Sequence, residues 1–542
     1  MRIRAAALRH AGLGARRTAV GCVLALAGAC PVAAQTLPVG DPIEDYLRIL
    51  QISGLADLGS FTVRPMPPGD FRERLGSSAH PWQDRLGQPA SRDVDGLNVL
   101  VDDPQLRTFV NSRFPLGQND GVVWQGRGLT TALDAGATLN WRALTVSIRP
   151  TVLYTQNSSF ETAPAPTEYG YPWRVIDLPQ RFGSDALWTL DPGQSEIRLD
   201  THGVSAGFGT TNLWWGPAVR NPIIMSNNAP GIPHAFLGTN GPIGIGIGQL
   251  EAQWIWGDLD QSDWFGYTAP GDDRFITGVV ATYMPSFLPG LSLGATRVFY
   301  VAVPDGGTPI GDYFAVFQGV RKKALVSPEN PTGDDEHDQI LSLFGRWVLP
   351  ESGFEVFWEW ARNDHSWELR DFLLEPEHSQ AYMLGLQKAI QLTGDRMVTV
   401  RAELTHLARE PTYIIRGNPT YYAHGIVTQG YTQRGQIIGA GIGPAGNALG
   451  LGADLYAPWG RAQLTVQRDV RDQDAYFDWA LANDMGSCCH NVLYHLGGNG
   501  LVFVGDFDLG AGMIITREFN RYFYGLDIWN LNLSLSARWR PN

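Results

Sequence analysis

Several short stretches carry residues that could do chemistry. Gly203-Val204-Ser205-Ala206-Gly207 fits a nucleophile elbow, whose serine must stand on a strained strand-to-helix turn. Here the run Ser195–Gly209 reads as strand with no helix pattern after it, so small residues in a strand are the expected reading. Glu355 and Glu359 could be imagined as a glycosidase pair. Four residues apart in a strand, they share one face but lie about 13 Å apart along it. Charges turned toward water are the safer reading. Gly244-Ile245-Gly246-Ile247-Gly248 lacks the strand–helix unit that a dinucleotide loop needs. Asp334-Asp335-Glu336-His337-Asp338 offers hard oxygen ligands for calcium but reads first as a solvated acidic loop. Cys488 and Cys489 with His490 and His495 could suit a soft metal, yet adjacent thiols and a neighbouring imidazole rarely close a tetrahedron. No H-E-x-x-H or P-loop occurs. The expectation is no catalytic residue, no metal site and no cofactor.

Composition narrows the partners. The 542 residues carry 41 Lys+Arg against 54 Asp+Glu, a net of -13. Residues 1–34 hold five arginines and no acid, so the remainder is more acidic still. Nucleic-acid binding needs a basic face and is not expected. The leader has secretory grammar: Arg2, Arg4, Arg9, Arg16 and Arg17, then apolar Ala19–Ala29, then small Val32-Ala33-Ala34. A signal peptide over 1–34, cut near Ala34, follows. It takes Cys22 and Cys30 with it, and the adjacent pair left behind implies no disulfide framework.

Beyond the leader no run is long and apolar enough for a membrane helix. Strands remain possible. Trp529, Leu531, Leu533, Leu535, Ala537 and Trp539 alternate with Asn530, Asn532, Ser534, Ser536 and Arg538, with aromatics at both ends of the apolar stripe. Eleven residues of period two exceed the five or six usual in soluble strands and match membrane length. The pattern recurs at Leu144–Thr155 around an awkward Pro150, at Gln249–Trp256, Phe354–Ala361, Val398–Thr405 and Ala462–Gln467. Leu349-Pro350-Glu351-Ser352-Gly353 supplies a hairpin turn between Ile340–Val348 and Phe354 onward. Charges recurring within strands call for a polar lumen. The fold class expected is therefore all-β, a transmembrane antiparallel barrel.

One helical exception stands near the mature N-terminus. Asp41-Pro42-Ile43-Glu44 is an N-cap with Pro at the first helical position and an acid in the first turn, followed by Ile43, Tyr46, Leu47 and Leu50 at helical spacing. Phe71–Leu75 and Pro104–Phe114 are read as further short helices. Residues 35–115 thus form an N-terminal helical segment and 116–542 the barrel. Glycine- and proline-rich stretches near 157–195, 209–248, 302–338, 409–447 and 470–500 are the long-loop candidates.

Three blocks resemble the Wzi capsule-assembly family of outer-membrane proteins. The first is Trp214-Trp215-Gly216-Pro217 with Ser226-Asn227-Asn228-Ala229-Pro230. The second is Leu349–Glu355 with Glu359-Trp360, Glu375–Ser379 and Gly385-Leu386-Gln387-Lys388. The third is Tyr422-Ala423-His424-Gly425 with Gly430–Gly435. The resemblance implies a barrel of about 18 strands, preceded by periplasmic helices. It further implies a lectin-like role, holding capsular or other extracellular polysaccharide at the bacterial outer membrane. The chain departs from the usual aromatic end of such barrels, since Arg540-Pro541-Asn542 follow Trp539.

A polysaccharide offers apolar ring faces to Trp and Tyr, and hydroxyls and carboxylates to Asn, His and Arg. Trp214, Trp215, Arg220, Asn227, Asn228 and His234 have that composition, as do Tyr422, His424, Tyr431 and Arg434. These ten are the candidate polysaccharide contacts. The bland alternative puts their aromatics in a barrel's interfacial girdles. The expected partners are polysaccharide and outer-membrane lipid, with the chain a monomer. A diffusive porin or transporter is the competing function. A hydrolase using Ser205 and a secreted β-sandwich array rank below it.

Overall fold

The computed structural model describes residues 36–66, 75, 79–86, 91–94, 96–162, 183–262, 273–304, 306–318, 337–363, 369–393, 395–410, 419–424, 427, 429–480 and 489–540. Residues 1–35, Cys488, most of the Phe71–Leu75 stretch and Asp334–Glu336 lie outside them.

Among the described residues eighteen antiparallel strands follow one another round a closed barrel. They are β1 (Leu97–Val101, Gln105–Asn111), β2 (Gly128–Asp134, Ala137–Trp141), β3 (Leu144–Ile148, Thr151–Thr155), β4 (Leu187–Asp191, Glu196–Thr201), β5 (Val204–Gly209), β6 (His234–Thr239), β7 (Gly248–Leu259), β8 (Arg274–Pro285), β9 (Leu291–Ala302), β10 (Asp338–Leu349), β11 (Phe354–Asn363), β12 (Gln380–Leu392), β13 (Arg396–His406), β14 (Asn447–Ala457), β15 (Gly460–Arg471), β16 (Asn491–Val504), β17 (Phe507–Arg521) and β18 (Leu526–Trp539). β18 pairs back onto β1, from Asn532↔Asn111 to Arg538↔Gln105, which closes the barrel, and Ser91–Val94 adds a short strand beside Leu97–Val101. Ser205 sits within β5, buried in a strand with strand partners on both sides and no following helix.

The alternation read from the sequence sorts the two faces. On β11, Trp358 is exposed while Glu355, Phe357, Glu359 and Ala361 are buried. On β18, Leu531, Leu533, Leu535 and Trp539 are exposed and Asn530, Asn532 and Arg538 are buried. The outward positions form the apolar belt a bilayer requires. Tight turns join β2 to β3, β4 to β5, β14 to β15 and β16 to β17 at one end; long loops gather at the other. The 349–353 turn forms as expected, with a 3-10 turn at Pro350–Ser352 and Gly353 at φ +62°.

The N-terminal helix α1 (Pro42–Ile52) is capped by Asp41, whose carboxylate accepts the Ile43 N–H at 2.8 Å. Its Tyr46, Leu47 and Leu50 are fully buried against Val348, Ala389, Met397 and Tyr456, all near tight turns. Burying each such side chain contributes about 1.5–3 kcal/mol. The helix therefore closes the turn end of the lumen.

The helical segment ends earlier than the sequence suggests. Pro104–Phe114 holds no helix: Gln105–Asn111 is the second half of β1 and closes the barrel. Its outward Leu106 and Val110 carry a thin version of the alternation, and pairing with β18 and β2 on either side decides the conformation. The long-loop stretch at 470–500 likewise contains the start of β16. The first four strands are interrupted. Pro104, Pro150 and Pro192 fall at three of the breaks, where proline has no N–H to give the ladder. At the fourth, a Cβ on Gly136 would meet the Ile148 carbonyl at 2.2 Å.

Candidate functional site

The lumen is filled by chain that enters from both ends. Loop 210–233, between β5 and β6, turns inward and meets the N-terminal segment. Trp214–Trp215 pair with Val63–Arg64 as a two-residue antiparallel ribbon. The Arg64 guanidinium lies 4.6 Å from the Trp214 ring, and Trp215 Nε1 donates to Gln253 Oε1 at 3.0 Å. Glu403 of β13 accepts three successive backbone N–H groups of the loop, from Val219 (2.7 Å), Arg220 (3.0 Å) and Asn221 (2.8 Å). Glu359 of β11 accepts the Ile223 N–H at 3.1 Å. Lumen carboxylates thus take the place of water for a stretch of backbone with no sheet partner.

A second inward loop, within 419–446, locks onto the first. Tyr422 OH donates to the Ile223 carbonyl at 2.6 Å and accepts the Ala440 N–H at 2.9 Å. Ser226 Oγ donates to the Gly439 carbonyl at 2.6 Å, and Asn228 Nδ2 to the Ile437 carbonyl at 3.0 Å. The Tyr422 and Tyr431 rings stack with centroids 5.8 Å apart. Burial pushes both phenols up, so they stay neutral hydrogen-bonding groups. The loop between β1 and β2 joins them through Gln118 Nε2 to Asn221 Oδ1 at 2.5 Å and Asn119 Nδ2 to the Arg220 carbonyl at 2.8 Å.

The keystone is an ion cluster that no single stretch of sequence announces. Glu355 of β11 takes Arg48 of α1 on one oxygen and Arg346 of β10 on the other, each at 2.5 Å. Arg48 also donates to the Pro217 carbonyl at 2.6 Å, and Arg346 to Gln51 Oε1 at 2.7 Å and the Ser60 carbonyl at 2.9 Å. All three charged side chains are at most 5% exposed. One carboxylate therefore ties helix, wall and inserted loop together. The available signal is Glu355 itself, a lumen charge that needs a cation. The partners come from a helix some 300 residues earlier (Arg48) and a neighbouring strand.

The ten candidate residues do not converge on one surface. Trp214, Trp215, Asn227, Tyr422 and Tyr431 are buried in the plug and His234 is buried at the start of β6, so none sits in an interfacial girdle. Arg220 is exposed. Asn228, His424 and Arg434 are half-buried; His424 Nδ1 accepts the Val427 N–H at 3.0 Å and Arg434 is held by Asp191 at 2.5 Å and Asp260 at 3.2 Å. A polar cavity of about 320 Å³ runs along the interrupted wall β1–β4, lined among others by Arg107, Asp134, Arg149, Asn212, Asn227 and Arg538. Gly510 of β17 and Ser534 and Ser536 of β18, the strand that pairs with β1, also line it. Asn228 and His234 instead line separate spaces of about 70 and 170 Å³. Asp120, above the large cavity, is pushed up by burial against the pull of Arg107 and Gln125. This lining can bond hydroxyls and carboxylates. His495 is bonded to Thr516 at 2.8 Å and Asp469 at 3.1 Å, and Cys489 is disulfide-bonded.

A family model described as capsule assembly protein Wzi matches residues 111–474. The chain belongs to the Wzi capsule assembly family. Among solved structures, Wzi of Escherichia coli, an outer-membrane protein involved in group 1 capsule assembly and described as a carbohydrate-binding β-barrel, is 14% identical. It aligns over 94% of this chain and 100% of its own with a TM-score of 0.64. OccAB2 of Acinetobacter baumannii is 10% identical over 82% of this chain and 98% of its own, with a TM-score of 0.40. No curated protein matches significantly. Membership of the Wzi family thus rests on a match that runs from the end of β1 past β15.

Proposed function

We propose that the mature protein is a non-catalytic outer-membrane barrel that holds capsular or other extracellular polysaccharide at the bacterial surface, after removal of the leader near Ala34, and that it acts as a monomer. The observation that carries this reading is the occupied lumen, in which α1 and the inserted loops take up much of the described interior. A diffusive porin needs the opposite. Family membership supports a part in capsule assembly, and carbohydrate binding by the Escherichia coli protein supports the ligand class. On this reading the accessible members of the two blocks, Arg220, Asn228, His424 and Arg434, are the polymer contacts. The buried Trp214, Trp215, Asn227, His234, Tyr422 and Tyr431 set the shape that presents them. Arg220, the exposed guanidinium of the four, favours a polymer carrying carboxylates.

The test compares cell-attached with released acidic polysaccharide in a deletion strain, its complemented parent and an Arg220→Ala strain. Polymer should move from cells to medium at constant total synthesis, fully in the deletion and partly in the substitution. Unchanged fractions would discard the anchoring role. Liposomes carrying the protein should not swell in small sugars; swelling would favour the porin.

A further inference from the structure

Outward-facing positions on this barrel are exposed nearly everywhere: Leu293 41%, Leu343 45%, Leu384 53% and Leu535 63%. One patch differs. On the loop-end halves of β8 and β9, Phe275 (4%), Thr277 (1%), Phe299 (1%) and Val301 (5%) are buried although register puts them on the outer face. Their cover is the chain itself. A 3-10 helix at Asp312–Phe317, in the β9–β10 loop, lies flat on the outside of the wall. Ala315 and Val316 pack on Phe299, Val279 and Trp254. Trp256 Nε1 donates to the Tyr313 carbonyl at 2.9 Å.

Beneath it stands Arg297, an outward charge partway along β9, where a bare guanidinium would meet hydrocarbon at high cost. It donates to the Val316 carbonyl at 3.1 Å, the Gln318 carbonyl at 2.5 Å and Gln339 Oε1 at 2.9 Å. The strap so neutralises a polar spot and presents a new surface of its own. Ile310 (83%), Phe314 (54%) and Phe317 (67%) stay exposed, at the edge of the apolar belt nearest the long loops. Phe314 and Phe317 lie edge-on to Trp254, with centroids 5.6 and 5.1 Å away, so the patch is continuous with the barrel's own aromatics.

We propose that Ile310–Phe317 is a lipid-embedded strap: Ile310, Phe314 and Phe317 enter the acyl-chain edge of the leaflet on the long-loop side and hold that loop against the membrane. The proposal rests on the barrel spanning a bilayer. The occupant follows from continuity with the belt, since the patch extends the apolar surface of β7–β10 at its rim, where aromatics favour the interface. The strap also makes Arg297 compatible with that depth.

The experiment uses full-length protein in a Cys488→Ser/Cys489→Ser background, with single cysteines at Ile310, Phe314 and Phe317 and a belt control at Leu535→Cys. Each is labelled with bimane and reconstituted in vesicles with or without brominated phospholipid. Strap labels should lose emission to brominated lipid as Leu535→Cys does, with a matching blue shift, and resist aqueous iodide. Quenching by iodide alone at the strap, with Leu535→Cys quenched by lipid, overturns the strap and leaves the barrel intact. Shielding from both quenchers also overturns it, in favour of a protein partner on the patch. Failure at Leu535→Cys as well would instead sink the membrane-spanning reading. Ile310, the most exposed of the three, serves as the site least able to disturb folding.

Discussion

Two loop segments fold back onto the barrel wall, one inside and one outside, and they do so with opposite polarity. Within the lumen, loop 210–233 gives its backbone N–H groups to wall carboxylates, Glu403 and Glu359. On the outer face the strap gives its carbonyls to a wall guanidinium, Arg297. In both places a charge on the strand supplies what an irregular backbone lacks, and the sign of the charge selects which end of the peptide dipole is used. The difference lies in redundancy. The inner loop is further held by Tyr422, Ser226, Asn221 and the Arg48–Glu355–Arg346 cluster; the strap has one arginine, one indole, a contact of Asp312 with His337 at 3.0 Å and a small apolar contact. Inside, then, the charges organise a rigid plug, whereas outside the arginine pins a small lid.

The largest effect should come from Glu355→Ala. It leaves two guanidiniums buried without their carboxylate, a loss of about 3–5 kcal/mol for a broken buried pair. The thermal unfolding midpoint of the detergent-solubilised protein should drop and vesicles carrying it should begin to swell. An unchanged midpoint and closed vesicles would mean the cluster is not the keystone. Glu403→Ala should cost less, about 2–3 kcal/mol, because three N–H groups lose a charged acceptor but lumen water can replace part of it. Hydrogen exchange at Val219–Asn221 should accelerate while α1 stays protected. Equal acceleration in α1 would show that plug and helix open as one unit.

Much of this architecture is legible in the amino-acid sequence itself. The alternation at 354–361 and 529–539, the cap at Asp41-Pro42 and the turn at 349–353 all hold in the fold, because each is a local pattern with a local cause. The β1 segment at 104–114 is not legible in this way, since its identity is fixed by β18, more than 400 residues away in sequence. The candidate site is legible as composition only. Trp214, Tyr422 and Tyr431 have the chemistry of sugar contacts, yet an inward fold covers their faces, and no residue type announces which way a loop turns. Glu355 is readable as a lumen charge, but its partners Arg48 and Arg346 emerge only once α1 is threaded into the barrel.

A third effect separates the helix from the loops. Burial pushes the Glu44 carboxyl up to about 7, with Arg64 at 3.5 Å pulling it back. The folded value lies above the ordinary 4.5, so docked α1 holds this proton more tightly than undocked chain does. Docking is strongest below pH 4.5, weakens as pH rises toward 7, and then levels. From pH 5.5 to pH 8 the loss should be about 2 kcal/mol. Hydrogen exchange in Pro42–Ile52, corrected for intrinsic rates, should report it and Glu44→Gln should abolish it. A pH-independent helix would place the proton elsewhere.

The smallest effect sharpens the inside–outside contrast most. Arg297→Met removes the charge-assisted bonds to Val316 and Gln318, but it also removes the cost of keeping a guanidinium at the belt's edge, and a flexible apolar chain fills part of the space. The net change should be about 1 kcal/mol, well below that of Glu403→Ala. It should appear as faster exchange at Asp312–Phe317 with the unfolding midpoint nearly unchanged. If Arg297→Met destabilised the whole barrel as Glu403→Ala does, the strap would be part of the wall's cooperative core, and the lid reading of the outer segment would give way to a second plug built on the outside.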